Sequence, residues 1–169
     1  MHESTWAVLF LALAGVLLIG FWFAPGGVLA LRRIAKGELQ VDVRPGYGPE
    51  TLFRLLDAYG VTGRRSFRTM LYLDMVFPAI YATALFLIGD RIAAAHAIHG
   101  ALQGAARCMG IAAAAFDYLE NTLLLKVLNR YPQRSVGAAR AAGIATSLKG
   151  VSFAGVLAAF LLAGLAPLR

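Results

Sequence analysis

The sequence predicts an all-α protein, a four-transmembrane-helix bundle with a short amphipathic helix in the first cytoplasmic loop. Three observations predict it. The apolar residues come in blocks, the basic residues gather between alternate blocks, and the charged residues inside the blocks fall at one depth. The chain has 169 residues, 59% of them hydrophobic, with a mean hydropathy of +0.68. Soluble domains run near half apolar. A bilayer crossing takes roughly 20 residues, so four crossings and their loops fill the chain as one integral membrane domain, 1–169.

The first span is read over about 5–31. It opens with "TWAVLFLALAGVLLIGFWFA", with Trp6 and Trp22 near its ends as interfacial aromatics. "MHES" before it carries no basic residue, and no small-residue cleavage pattern comes after it, so the segment reads as a retained helix. "PGG" at 25–27 kinks or ends it. A polar stretch from about 32 to 68 comes next. Within it, "PGYGPETLFRLLDAYG" reads as the short helix: Pro49 suits the first turn, Glu50 the positive end of the dipole and Gly60 the stop. Leu52, Phe53, Leu55, Leu56 and Tyr59 form its apolar side, to lie on the membrane surface or against the bundle.

The second span is "TMLYLDMVFPAIYATALFLIG", 69–89, with Gly89 as its stop and Asp90 as a cap for the next helix. "RIAAAHAIHGALQGAAR" is too polar to cross alone and should lead helically into the third span, about 105–128. "NRYPQRS" is a turn, and the fourth span covers about 138–165. Gly15, Gly20, Gly143, Gly150 and the alanine runs would allow close helix contact.

Basic residues set the orientation. Eight Lys/Arg lie in 32–68 and four in 126–140, twelve of the sixteen in the chain. Both loops should face the cytoplasm, and both termini should lie outside it, in a multi-pass protein of the cell inner membrane. The net charge of +7 would suggest nucleic acid in a soluble protein. Here the charges flank apolar blocks, so membrane lipid headgroups are the partner and nucleic acid is excluded.

Depth can be counted from each loop at 1.5 Å per residue. Asp74 lies about 9 Å inside Arg68, and Glu120 about 9 Å inside Lys126. Asp117 and Lys149 each lie about 13 Å from their own boundary. Phase agrees with depth. Asp117, Glu120 and Asn121 share one face, and Asp74, Pro78 and Tyr81 another. Pro78 has no N–H, so the Asp74 carbonyl loses its helical partner. Ser152 lies one turn from Lys149 and can join it. Ionisable groups are expensive in lipid and functional by default, so this layer is the candidate site. Asp74, Asp117, Glu120 and Lys149 are the candidate catalytic residues, and Asn121, Tyr81, Tyr118 and Ser152 the candidate ligand contacts.

The chemistry this permits is proton donation and acceptance on a small apolar or lipid-like molecule, as in an isomerase or cyclase, with no cofactor and no metal. Two other classes compete. Chains of intramembrane carboxylates also relay protons in transport, which for so few helices would call for a homo-oligomer. A polar layer can also serve only to fix helix pairing in an assembly partner. His96 and His99, spaced i, i+3, lack a third metal ligand nearby. Cys108, the single cysteine, reads as a small buried hydrophobe. No phosphate-binding loop, nucleophile elbow or zinc-protease motif occurs.

"YGVTGRRSFR…LDMVFPAIY" and "FDYLENTLL" resemble motifs of small four-span bacterial membrane proteins of unassigned activity. More loosely, "LDMVFP" resembles the second span of the sterol-isomerase and sigma-2-receptor membrane family, which has four spans, a long first loop and acidic residues facing a pocket. The chain departs from that family in its predicted orientation and in having no acidic residue in span one. The likeness implies only a pocket with an acidic residue at Asp74.

Overall fold

The computed structural model describes residues 2–95 and 100–165. These form six helices: α1 (His2–Phe23), α2 (Val28–Ile34), α3 (Pro49–Asp74), α4 (Phe77–Ala95), α5 (Ala101–Arg130) and α6 (Val136–Gly164). A single 3-10 turn lies at Val41–Val43, and there is no strand among the described residues. Two breaks are short, between α1 and α2 and between α3 and α4, so the helices stand as four columns. Three stretches are long and apolar enough to cross a membrane: Thr5–Ile34, Pro49–Ala95 and Val136–Gly164.

α1 is apolar all round. Val8, Leu9, Leu11, Val16 and Ile19 are exposed along it, which suits a lipid-facing helix and not a water-facing one. It packs mainly on α4 and touches α2. "PGG" breaks the column because its glycines do what other residues cannot. Gly26 has φ 85°, and a Cβ on Gly27 would stand 2.5 Å from the Phe21 carbonyl oxygen.

The amphipathic segment of α3 turns inward, not along the membrane surface. Leu52, Phe53, Leu55, Leu56 and Tyr59 are buried, while Arg54 and Asp57 are exposed. The buried set joins Leu31, Phe67 and Leu71 against Leu124, Val127 and Leu128 of α5 and Ala139 and Ala142 of α6. Burying each large side chain contributes about 1.5–3 kcal/mol, so this cluster seals one end of the bundle. The expected short helix is there: it starts at Pro49 and is interrupted at Gly60, at φ 60° and ψ −168°, beyond which a second helical stretch of α3 runs to Asp74. That conformation is essentially reserved for glycine. Arg64 donates to the Leu56 carbonyl, one turn before the kink, at 2.8 Å.

The second predicted span, 69–89, is also revised. The helix stops at Asp74, tightens through Met75 N–H to Tyr72 O and Val76 N–H to Leu73 O, and restarts at Phe77. Pro78 accounts for the break, because it withholds the N–H that the Asp74 carbonyl would need. Gly89 does not end this column. It is buried within α4 beside the Phe160 ring, and α4 continues to Ala95. Asp90 caps nothing. It sits inside α4 and takes hydrogen bonds from Gln103, at 3.0 Å, and from Arg107.

α5 and α6 pack along their length through small side chains, including Ala113, Ala139, Ala142 and Ala145. The glycines behave differently from expectation. Gly15, Gly20 and Gly150 have open space where a Cβ would be. Gly143 admits a loop and not a helix: a Cβ there would stand 2.0 Å from the Tyr47 carbonyl oxygen. Cys108 is exposed and not buried, since its face of α5 meets no other helix. His96 and His99 lie outside the described residues.

Candidate functional site

The loop between α2 and α3 builds one side of the site. Charge-assisted contacts shape it: Arg44 donates to the Leu39 carbonyl at 2.6 Å and pairs with Glu38 at 3.1 Å. The hydrogen bond from Arg44 holds the Glu38 carboxyl below its ordinary range. Beyond this clamp the chain dips into the bundle. Gln40 and Val41 are each 1% exposed. Tyr47 is laid on Gly143, and Gly46 faces the Ser147 hydroxyl.

The break after Asp74 builds the opposite side, and facing turns of α5 and α6 build the floor. Lys149 on α6 is the hub. Its ammonium donates to Asp117 Oδ1 at 2.9 Å, to Glu120 Oε2 at 2.6 Å and to the Asp42 carbonyl at 3.4 Å. An ammonium has three hydrogens, and all three are used. The second oxygen of each carboxylate is also engaged. Tyr81 donates to Asp117 Oδ2 at 3.1 Å, and Thr146 to Glu120 Oε1 at 2.5 Å. Asn121 donates its amide to Asp74 Oδ2 at 2.8 Å. Gln40 donates to Asp42 Oδ2 at 2.9 Å. Six of the eight candidate residues are therefore engaged in the layer: Asp117, Glu120, Lys149 and Tyr81 in one network, and Asp74 with Asn121 as a pair beside it.

Two do not. Ser152 is buried but donates back to the Leu148 carbonyl at 2.9 Å on its own helix. Tyr118 is exposed on the outer side of α5. Its spacing from Asp117 placed it one residue off the inward face, and the helix keeps it there.

A cavity of about 160 Å³ stands over this layer. Asp42, Asp74, Asp117 and Lys149 line its polar side, together with Gln40. Phe21, Trp22, Phe77, Tyr81 and Phe153 line its aromatic side. Tyr81 is the hinge between them, with its ring against Phe77 at 5.2 Å and Phe153 at 4.9 Å and its hydroxyl on Asp117. Glu120 is absent from the wall. It is fully buried behind Lys149, so it positions the ammonium and does not reach the cavity.

Gln40, Asp42 and Thr146 were not found from the sequence. Thr146 is readable in retrospect, since it lies three residues from Lys149 on the same face. Gln40 and Asp42 carry no such signal, because a polar loop that enters a bundle has the composition of one that stays in water. Burial pushes the Asp42 carboxyl up to about 7; the nearby Glu120 carboxylate adds to this and Lys149 opposes it.

Among the described residues no cluster of three or more His, Cys, Asp or Glu has the geometry of a metal site. The fold and site together define a helical bundle compatible with a membrane and carrying a buried charged layer beside a cavity. Comparison with family models, curated proteins and solved structures returned no match to this chain.

Proposed function

We propose that the chain is a four-span integral membrane protein that binds a small apolar or lipid-like molecule in the cavity above Asp74. α5 is the fourth crossing. Its 30 residues span about 45 Å at the helical rise, and its two carboxylates turn inward, which removes the objection to placing it in lipid. The basic loops at 32–68 and 126–140 face the cytoplasm of a cell with an inner membrane, and both termini face away from it. The observation that carries the reading is the two-sided cavity, aromatic on one wall and ionisable on the other. Binding sites combine an apolar lining with a few placed polar groups. A cavity of about this size takes up benzene in an engineered protein, so one ring or a short chain fits, and the rest of a longer ligand lies towards Leu18 and Trp22 of α1.

Acid–base conversion of that molecule falls to Asp74 and Asp42. Both line the cavity, and among the described residues neither has an ammonium or guanidinium ion pair of its own. One can donate a proton while the other accepts, which is sufficient for an isomerisation. Asp117 and Lys149 orient the layer, and Glu120 and Thr146 hold Lys149. The test is native mass spectrometry of the protein extracted in mild detergent. An apolar or amphiphilic adduct is expected, depleted in Asp74→Asn at unchanged folding. A folded protein that leaves the membrane with nothing bound overturns the reading.

A further inference from the structure

The cavity wall is short of hydrogen-bond donors. Among the described residues, Gln40 Oε1 and Asp42 Oδ1 on this wall, and Asn121 Oδ1 off it beside Asp74, are buried and accept no hydrogen bond; the other buried unpartnered atoms, Tyr47 Oη, Tyr59 Oη and Arg68 Nε, belong to residues that do not line the cavity. The two on the wall are acceptors. Their orientation is not arbitrary. Gln40 must turn its amide nitrogen to Asp42 Oδ2, and Asn121 must turn its own to Asp74 Oδ2. Flipping either amide would set oxygen against carboxylate oxygen, so both amides are held with an oxygen left over. Gln40 is 1% exposed and lines the cavity. Buried polar atoms are almost always partnered, and leaving one bare costs its desolvation. Among the described residues the wall sets three carboxyl groups, Asp42, Asp74 and Asp117, against Lys149 alone, whose ammonium has no hydrogen to spare; a cation bound here would favour the ionised form of Asp42 and Asp74.

We propose that the molecule held here presents a primary ammonium group, which donates to Gln40, Asp42 and Asp74 while its apolar part lies against the aromatic wall. This rests on the binding reading above and narrows it. A primary ammonium brings three donors and one positive charge. A hydroxyl brings one donor and no charge. A quaternary ammonium brings the charge and no donor, and would be held only by the ring faces. The same head group occurs on free amphiphilic amines and on ethanolamine lipids.

The test uses the full chain in lipid nanodiscs and four water-soluble probes with one ring each: phenylbutylamine, phenylbutyltrimethylammonium, phenylbutanol and phenylbutyrate. Affinities come from the thermal shift of the protein as a function of probe concentration. Phenylbutylamine is expected to bind about tenfold or more tighter than the alcohol, with the butyrate weakest. Asp42→Asn should cut amine affinity about tenfold and leave the alcohol unchanged. Gln40→Leu should lower amine affinity in the same sense, and serves if Asp42→Asn does not fold. If the quaternary probe binds tightest, or the alcohol or butyrate matches the amine, the ammonium inference is overturned while the cavity remains a ligand site. If no probe binds saturably, both readings fall. Competition of phenylbutylamine by ethanolamine lipid in the nanodisc, absent in choline lipid, identifies the lipid as source; no competition points to a free amine.

Discussion

Replacing Lys149 by methionine separates the parts of the polar layer. The ammonium is bonded to two carboxylates, at 2.9 Å and 2.6 Å, that are 6% and 0% exposed. Methionine fills a similar volume but leaves Asp117 and Glu120 without a cation in a medium that cannot solvate them. Breaking a buried ion pair from one side costs about 3–5 kcal/mol. For a chain of this size each kcal/mol moves the midpoint by about 2–4 °C, so Lys149→Met should melt about 6–20 °C lower. The triple change Lys149→Met, Asp117→Leu and Glu120→Met removes all three charges together, and well-packed apolar replacements of buried pairs are often neutral or better. It should recover most of the loss. The assay is reversible unfolding in mixed micelles, followed by circular dichroism. If Lys149→Met melts within about 1 °C of the parent, the carboxylates are not held by Lys149 and the reasoning fails. If the triple variant melts as low as the single one, the layer stabilises through something other than charge pairing.

The remaining predictions concern the elements that place the layer. Gly143→Ala puts a methyl 2.0 Å from the Tyr47 carbonyl oxygen, so it should lower stability by about 1–3 kcal/mol and expose the 40–48 loop to hydrogen exchange; unchanged exchange would show that the loop does not rest there. Gly60→Ala forces a side chain into a conformation reserved for glycine, at about 1–3 kcal/mol, measured by the same unfolding. Burial pushes the Asp42 carboxyl of the folded chain up to about 7 from an ordinary 3.8. The folded state then holds the proton longer than the unfolded one, so stability should fall as pH rises across that interval. Asp42→Asn should flatten the slope, and an equal slope in the variant would assign it to another group. For topology, single cysteines at Lys36 and Arg134 in a Cys108→Ser background should resist impermeant thiol reagents in intact cells, and ready labelling of both would reverse the orientation.

How far the site could be read in advance depended on what carries the signal. Helical rise and phase are fixed by backbone geometry, so counting from the loops brings Asp74, Asp117, Glu120, Asn121 and Lys149 to one layer. The apolar face of 49–60 was equally plain, although its burial in the bundle mouth, and not on the membrane surface, depends on the partners supplied by α5 and α6. The breaks were half legible. Pro78 flagged the freed carbonyl at Asp74, yet whether a helix bends or restarts is decided by packing on both sides. The loop was not legible at all. Its entry depends on Gly143 leaving room for the Tyr47 backbone, a contact between residues nearly a hundred positions apart, and nothing local marks it.

The loop decides how the layer should be understood. Without it, the membrane helices hold a closed set: Lys149 with two carboxylates, their outer oxygens taken by Tyr81 and Thr146. Such a set is complete, and a complete set is what fixing helix register requires. Asp74, Asn121, Gln40 and Asp42 are built otherwise. Each amide is spent on one carboxylate oxygen and leaves its own oxygen bare, and Asp42 keeps a second bare oxygen. A purely structural network would be expected to close here as it does around Lys149, since a half-satisfied one is less stable than an apolar replacement. Lys149, Asp117 and Tyr81 of the first set and Asp74, Gln40 and Asp42 of the second line one cavity, so the same fold holds a saturated anchor beside an unsaturated acceptor surface. Register accounts for the first half. The second fits the proposed ligand, whose ammonium would bring the donors that this wall lacks.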